Sequence, residues 1–102
     1  MTAGAEAIVD EAERNRLVLR MDGLEAELVY RRRGDRFVLV HTGVPEQLEG
    51  HGLGGRLVRQ ALELARQGDL TVVPLCPYAR SWLERHPDVA ATVKVDWGAS
   101  PG

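Results

Sequence analysis

Hydrophobic and polar positions alternate along the first part of the chain, in the pattern of β-strands with one buried and one wetter face. The alternating segments are 17–21 and 24–30, and Asp22-Gly23 between them is a signal for a two-residue hairpin turn. Gly34-Asp35 marks a second turn. The segment from Phe37 to Val40 is apolar on both faces, which is typical of a covered central strand. The sequence therefore predicts an antiparallel meander of three strands.

The hydrophobic period changes to that of a helix after Gly52, and the amphipathic pattern continues to Gly68, which is a plausible helix end. An apolar segment over 70–75 predicts a fourth strand. Pro77 suits the first turn of a second helix, which ends before Pro87. A strand, a crossover helix and a strand in this order form a right-handed parallel unit. We therefore expect an α/β (α+β) fold of order β-β-β-α-β-α, a meander with one parallel strand pair joined by a crossover helix.

Length and composition indicate one small globular domain, since the chain has 102 residues, of which 44% are hydrophobic and 27% charged. We expect a flexible N-terminus over 1–7, a domain over 8–93 and a flexible C-terminal tail over 94–102.

Charge and cysteine content narrow the class of partner. The net charge of −2 argues against a nucleic-acid partner. The single cysteine, the lack of a signal-peptide pattern and the lack of a long apolar run favour a cytoplasmic protein without a membrane partner. The three histidines and the cysteine lack metal-ligand spacing, so no metal is expected. We expect a monomer or a weak homodimer.

Four glycines, at positions 50, 52, 54 and 55, precede the first helix. Bare backbone N–H groups at a helix N-terminus, together with the helix dipole, make a site for phosphate or diphosphate. A flexible turn followed by close helix–sheet packing is the alternative. A nucleotide-binding loop is a further alternative, but Gly55-Arg56-Leu57 lacks the Lys-Ser/Thr pair of an NTPase loop, and no acidic residue ends the next strand.

Several motifs resemble the small, stand-alone members of the GNAT superfamily, the Gcn5-related N-acetyltransferases. They are "VHT", "VPEQLEGHGLGGRLV", "VVPLCPY" and "RHP", in the order and spacing of that subfamily, and the resemblance covers roughly Ile8 to Val93. The superfamily pattern Arg/Gln-x-x-Gly-x-Gly/Ala aligns on residues 49–54, with Glu49 in place of Arg or Gln. The resemblance implies a minimal GNAT fold that transfers an acetyl group from acetyl-coenzyme A to an amine, either a protein or peptide lysine or a small amine.

The resemblance also implies which residues bind acetyl-coenzyme A. Backbone groups of Thr42 and Val44 would hold the pantetheine arm and the thioester, and the N–H groups of the glycine loop would hold the diphosphate. The carboxylate of Glu49 would repel it, so Glu49 has no predicted binding role. The predicted coenzyme-binding residues are Thr42, Val44, His51, Gly52, Leu53, Gly54, Gly55 and Arg56.

Three side chains are candidates for catalysis. Tyr78 lies where GNAT enzymes often place a tyrosine acid, and its alternative role is that of an aromatic at the core edge. His41 lies at the end of the third predicted strand. It is either a proton carrier in catalysis or a residue that caps the strand. Cys76 lies directly before the second predicted helix, where a thiol can act as a nucleophile and form an acetyl-cysteine. The alternative is that Cys76 is a small, buried hydrophobic residue.

The acceptor is not defined by the sequence. The two helices that usually follow the first strand of the superfamily are absent, because Asp22-Gly23 joins the first two predicted strands directly. We therefore expect an open, shallow acceptor face. The alternative function is a non-catalytic acyl-coenzyme A-binding or protein-interaction module that retains the fold.

Overall fold

The computed structural model describes residues 7–98, which form one six-stranded mixed sheet with helices on one side. The elements are β1 (Val9–Glu11), β2 (Arg16–Met21), β3 (Leu24–Arg33), β4 (Arg36–Gly43), α1 (Leu53–Gln67), β5 (Thr71–Pro74), α2 (Pro77–Arg85), α3 (Pro87–Ala90) and β6 (Lys94–Val95). The strands lie in the order β1-β2-β3-β4-β5-β6. Strands β1 to β4 pair antiparallel with their neighbours, whereas β5 pairs in parallel with both β4 and β6. Two short 3-10 turns lie at Ala12–Arg14 and Glu46–Leu48.

The predicted fold class is confirmed, and the predicted order appears as β2-β3-β4-α1-β5-α2. The β2–β3 hairpin turns at Asp22 and Gly23, whose φ angles of 54° and 76° are those that a tight two-residue turn needs. Three short elements, β1, α3 and β6, were not predicted because they span too few residues to show a periodic pattern. Residues 1–6 and 99–102, assigned to flexible termini, lie outside the described part. Lys94 and Val95, assigned to the same tail, pair with β5.

The core lies between one face of the sheet and the helices. Leu17, Leu28 and Leu39 on the sheet and Leu57 and Leu83 on α1 and α2 are all fully buried. Burial of each such side chain stabilises the fold by about 1.5–3 kcal/mol. Residues of both helices belong to this one core, and α1 and α2 also contact each other. The right-handed sense that such crossovers prefer places both helices on one face of a sheet with this strand order.

The opposite face of the sheet carries charged side chains, and within residues 7–98 no helix covers it. We call it the helix-free face. The Arg16 guanidinium contacts the Glu11 and Glu27 carboxylates at 2.7 and 2.9 Å, and Arg20 contacts Glu25 at 2.7 Å. The hydrogen bond from Arg16 lowers the pKa of Glu11 below its ordinary value. These cross-strand pairs fix the register of β1, β2 and β3 on this face.

Tyr30 links the core to the edge strand β1. Its ring stacks on Phe37 with centroids 4.7 Å apart, and its hydroxyl donates to Asp10 Oδ1 at 2.6 Å. Burial, and secondly the hydrogen bond to Asp10, raise the pKa of Tyr30 to about 12.

Candidate active site

Strands β4 and β5 separate part-way along their length. Their parallel pairing runs from Arg36 opposite Thr71 to Leu39 opposite Pro74 and then stops. An extra residue in β4, Val40, makes a bulge against β3, and bulges bend the strand that carries them. The Cys76 N–H donates to the Leu39 carbonyl at 2.8 Å, where the chain leaves β5 for α2. Residues 40–43 of β4 therefore have no partner in β5, and a gap opens beside them.

The glycine loop leads to the N-terminus of α1 next to this gap. Gly50 and Gly52 have φ angles of 90° and 73°, a backbone conformation that residues with a side chain rarely adopt. Gly52 caps α1 without any side-chain hydrogen bond. The first intrahelical bond is donated by Arg56 N–H to the Gly52 carbonyl at 3.1 Å. The N–H groups of residues 53–55 therefore have no acceptor within the helix, and they lie at its partially positive end.

Gly54 and Gly55 allow α2 to approach α1 closely. A Cβ atom on Gly54 would lie 2.5 Å from the Tyr78 hydroxyl oxygen, and one on Gly55 would lie 2.7 Å from Trp82 Nε1. No side chain larger than hydrogen fits either place without movement. The alternative explanation of the glycines as packing residues therefore applies to these two positions, in addition to any role of their N–H groups.

A cleft of about 470 Å³ lies between the end of β4, the glycine loop and the start of α1. Tyr78, whose side chain is half-exposed, closes one side of it. The lining residues are Thr42, Gly43, Val44, Leu48, Glu49, Gly50, Gly52, Leu53, Gly54 and Tyr78. The cleft thus joins the backbone of the separated strand to the unpaired N–H groups of the helix.

Most of the predicted coenzyme-binding residues meet at this cleft, and three do not line it. His51 is exposed on a bend in the loop, and Gly55 packs against Trp82. The N–H of Arg56, one of the predicted donors, is engaged with Gly52. Sequence reasoning missed Leu48, a buried residue of a 3-10 turn too short to give a pattern.

The three candidate catalytic side chains lie on different sides of β4. Cys76 is buried, and its thiol donates to the Thr42 hydroxyl at 3.4 Å on the helix side. Tyr78 faces the cleft at the start of α2. His41 is exposed and lies next to Thr42 in the strand, so its side chain points to the helix-free face. The structure therefore brings Cys76 and Tyr78 to one side of the strand and His41 to the other.

No group of three or more metal-ligating side chains occurs among residues 7–98. In the same residues, no helix is long and apolar enough to cross a bilayer.

The parallel strands of the mixed sheet separate beside a helix that begins with glycines, and this arrangement is typical of an acyl-coenzyme A-binding transferase domain. The family model described as GCN5-related N-acetyl-transferase matches residues 16–93. The chain belongs to the GCN5-related N-acetyltransferase family.

Comparison with solved structures found a similar protein, whereas comparison with curated proteins found none. The chain is similar to a GCN5-like protein from Staphylococcus aureus, whose structure was determined in solution by NMR. The two share 26% sequence identity with a TM-score of 0.69, over 88% of this chain and 89% of the other. No curated protein matches the sequence.

Proposed function

We propose that the protein is an acetyl-coenzyme A-dependent N-acetyltransferase that acetylates a primary amine. The observation that carries this proposal is the cleft, which runs from the separated backbone of β4 to Leu53 and Gly54, whose N–H groups have no acceptor within the helix. Family membership supports the same activity. We assign this acetyltransferase activity to the domain over 8–93.

The cleft fits the coenzyme at both of its ends. The N–H groups at the start of α1 suit the diphosphate, because they are unpaired and lie at the positive pole of the helix. Thr42 and Val44 suit the pantetheine arm, since the neighbouring backbone of β4 has no partner in β5. Glu49 also lines the cleft, and its negative charge weakens the affinity for the diphosphate.

When bound, acetyl-coenzyme A supplies an activated acetyl group as a thioester. A backbone N–H near Thr42 or Val44 stabilises the negative charge that develops on the carbonyl oxygen. The Tyr78 hydroxyl, on the wall of the cleft, gives a proton to the leaving thiolate. Glycine at position 54 is what allows this hydroxyl to lie so close to the helix start.

We propose direct transfer to the amine rather than transfer through an acetyl-cysteine. The Cys76 thiol is buried, does not line the cleft and donates to Thr42. Its role in this proposal is to hold the end of β4 at the start of α2.

Two measurements on the purified protein test the proposal. Isothermal titration calorimetry with acetyl-coenzyme A should give saturable binding, and a panel of lysine peptides and small amines should reveal acetyl transfer by mass spectrometry. Binding without transfer to any amine, and without slow hydrolysis, would support the non-catalytic acyl-coenzyme A-binding module instead. Absence of binding at millimolar ligand would refute both.

We also propose a cytoplasmic location and a monomer or weak homodimer, with no nucleic-acid partner. The single buried free cysteine and the net charge of −2 support these assignments. Light scattering at micromolar and millimolar protein tests the assembly state.

A further inference from the structure

Strand β3 extends past its neighbour β2 and leaves an open edge. The pairing of the two strands ends with Val29 opposite Arg16. The Tyr30 N–H then donates to the Asn15 carbonyl at 2.9 Å, which is the last bond on that side of β3 among residues 7–98. Residues 31–33 continue the strand, and in the described part of the chain they pair only with β4. We call residues 31–33 the arginine edge, because all three are arginines and all three are exposed.

The backbone of Arg32 points to the open side of this edge. Backbone groups of a strand alternate in direction, so Arg32 directs its N–H and its carbonyl to the side on which Tyr30 bonds Asn15. No described residue pairs with these two groups. A ligand that satisfies both has to offer an acceptor and a donor at the spacing of a peptide unit, which is what another strand of polypeptide provides.

The side chains of the arginine edge divide between the two faces of the sheet. Arg32 lies on the helix side, and its guanidinium is 3.6 Å from the place of a Cβ atom on Gly68, at the C-terminal end of α1. A cation is favourable at that end of a helix, so Arg32 stabilises the fold itself. Arg31 and Arg33 lie on the helix-free face, and no ion pair joins either of them to another described residue.

Positive charge is concentrated at this corner of the sheet. Residues 31–36 hold four arginines and one aspartate, although the whole chain has a net charge of −2. Arg33 lies directly opposite Arg36, and a like-charged pair across two strands is unfavourable. Asp96 pairs with Arg36, which leaves Arg33 uncompensated. An anionic side chain beside Arg33 therefore relieves a repulsion and adds an attraction.

We infer that the arginine edge is a docking site for another protein, which adds an extended acidic segment to the sheet beside β3. Arg31 and Arg33 are two residues apart on one face, so the segment carries two acidic side chains with one residue between them, in the pattern Asp/Glu-x-Asp/Glu. In the antiparallel arrangement, which is that of β2, residue x lies opposite Arg32 and exchanges both backbone hydrogen bonds with it. This interaction goes beyond acetyl transfer, since the edge lies beside the start of β4 and the cleft lies at its end.

The same features disfavour other anionic partners. The phosphate oxygens of a nucleic acid or a lipid only accept hydrogen bonds, so they leave the Arg32 carbonyl unpaired. A second copy of this chain offers the edge strand β1, but both carboxylates of β1 already accept hydrogen bonds from Arg16 and Tyr30. A separate acidic polypeptide is therefore the partner that the edge fits.

Amide NMR with short peptides tests the inference on the whole chain. The probe is the peptide Ser-Thr-Glu-Val-Glu-Thr-Ser with both ends blocked, and the control peptide has proline in place of valine. Proline keeps both charges but removes the N–H that bonds the Arg32 carbonyl. The expected result is saturable shifts at residues 31–33, largest at Arg32, with millimolar valine peptide and none with the proline peptide. Equal shifts with both peptides, or no saturable shift with either, would overturn the inference.

Neutral variants of the two arginines on the helix-free face test the recognition of charge. Arg31→Gln and Arg33→Gln should each weaken the affinity for the valine peptide about two- to five-fold, the effect of one lost cross-strand ion pair. Arg85→Gln is the matched control, because Arg85 is exposed on α2, and it should leave the affinity unchanged. An equal loss in all three variants would reduce the binding to net charge and contradict the proposed site.

Titrations with single-stranded oligothymidylate and with phosphatidylserine vesicles, at physiological salt, distinguish the class of partner. Neither should give saturable shifts at residues 31–33. Such shifts with either polyanion, or on concentrating the protein alone, would assign the edge to that partner and overturn the inference. Calorimetry of Arg33→Gln with acetyl-coenzyme A should give the wild-type affinity. Failure of peptide binding therefore leaves the proposed function untouched, and failure of acetyl-coenzyme A binding leaves the arginine edge untouched.

Discussion

The neighbouring glycines 54 and 55 give a matched pair of substitutions that separates stability from function. Each lies in the first turn of α1, so replacing either one with alanine brings a similar gain in helix propensity, at most about 1 kcal/mol. The two differ in what the new methyl group meets. At Gly54 it meets the tip of Tyr78, a side chain that is 41% exposed and free to swing outward. At Gly55 it meets Trp82, which is only 5% exposed.

Trp82 cannot move away in the same manner. Its ring stacks on His86 with centroids 3.9 Å apart, and the Arg59 guanidinium lies 5.2 Å from the ring centroid. Overpacking of such a site costs about 1–3 kcal/mol. Because the propensity gain cancels between the variants, Gly54→Ala should be more stable than Gly55→Ala by about 1–3 kcal/mol.

Gly54→Ala, the more stable of the two variants, should nevertheless lose acetylation activity. Gly54→Ala displaces the Tyr78 hydroxyl from the cleft wall, so the acetylation rate should fall by about 10²-fold while the free energy of unfolding stays at or slightly above wild type. Urea denaturation gives the stability, and a coupled assay for free thiol gives the rate. The reasoning would be refuted if Gly54→Ala unfolded as easily as Gly55→Ala, or if it retained the wild-type rate.

Three further predictions concern a buried thiol, a cleft charge and a buried tyrosine. Cys76→Ala should keep the acetylation rate within a few-fold of wild type, whereas a loss of about 10³-fold with intact binding would establish an acetyl-cysteine. Glu49→Gln should tighten acetyl-coenzyme A binding about two- to five-fold in calorimetry at low salt, and the gain should shrink in 1 M salt; an unchanged affinity at low salt would contradict the repulsion. One tyrosine should ionise near pH 12 in absorbance at 295 nm, and this step should vanish in Tyr30→Phe. Because the pKa of Tyr30 in the folded protein is raised to about 12, its neutral form stabilises the fold below pH about 10. This stabilisation, at most about 3 kcal/mol, is lost as the pH rises through about 12.

Sequence patterns predicted the parts of the fold that depend on local periodicity. Alternation over 17–21 and 24–30 predicted strands β2 and β3, and Asp22-Gly23 predicted their hairpin because both residues must adopt positive φ. The glycine loop was predicted to open a helix, and it does.

The rest depends on contacts between residues that are distant along the chain. The bulge at Val40 lies inside an apolar run, where an extra residue leaves no mark in the pattern. The close approach of Tyr78 to Gly54 is set by how α2 packs on α1, and the sequence predicts only that both helices exist. Likewise, the placement of His41 across Gly43 follows from the register of β3 and β4.

The central claim is that the unpaired N–H groups at the start of α1 bind the diphosphate of acetyl-coenzyme A. Titration of the ¹⁵N-labelled protein with acetyl-coenzyme A, followed by amide NMR, tests it most directly. The account predicts saturable shifts that are largest at residues 53–55, with a second group at 42–44, and no comparable shift at α3. Absence of any saturable shift at millimolar ligand, or shifts centred away from the start of α1, would contradict it.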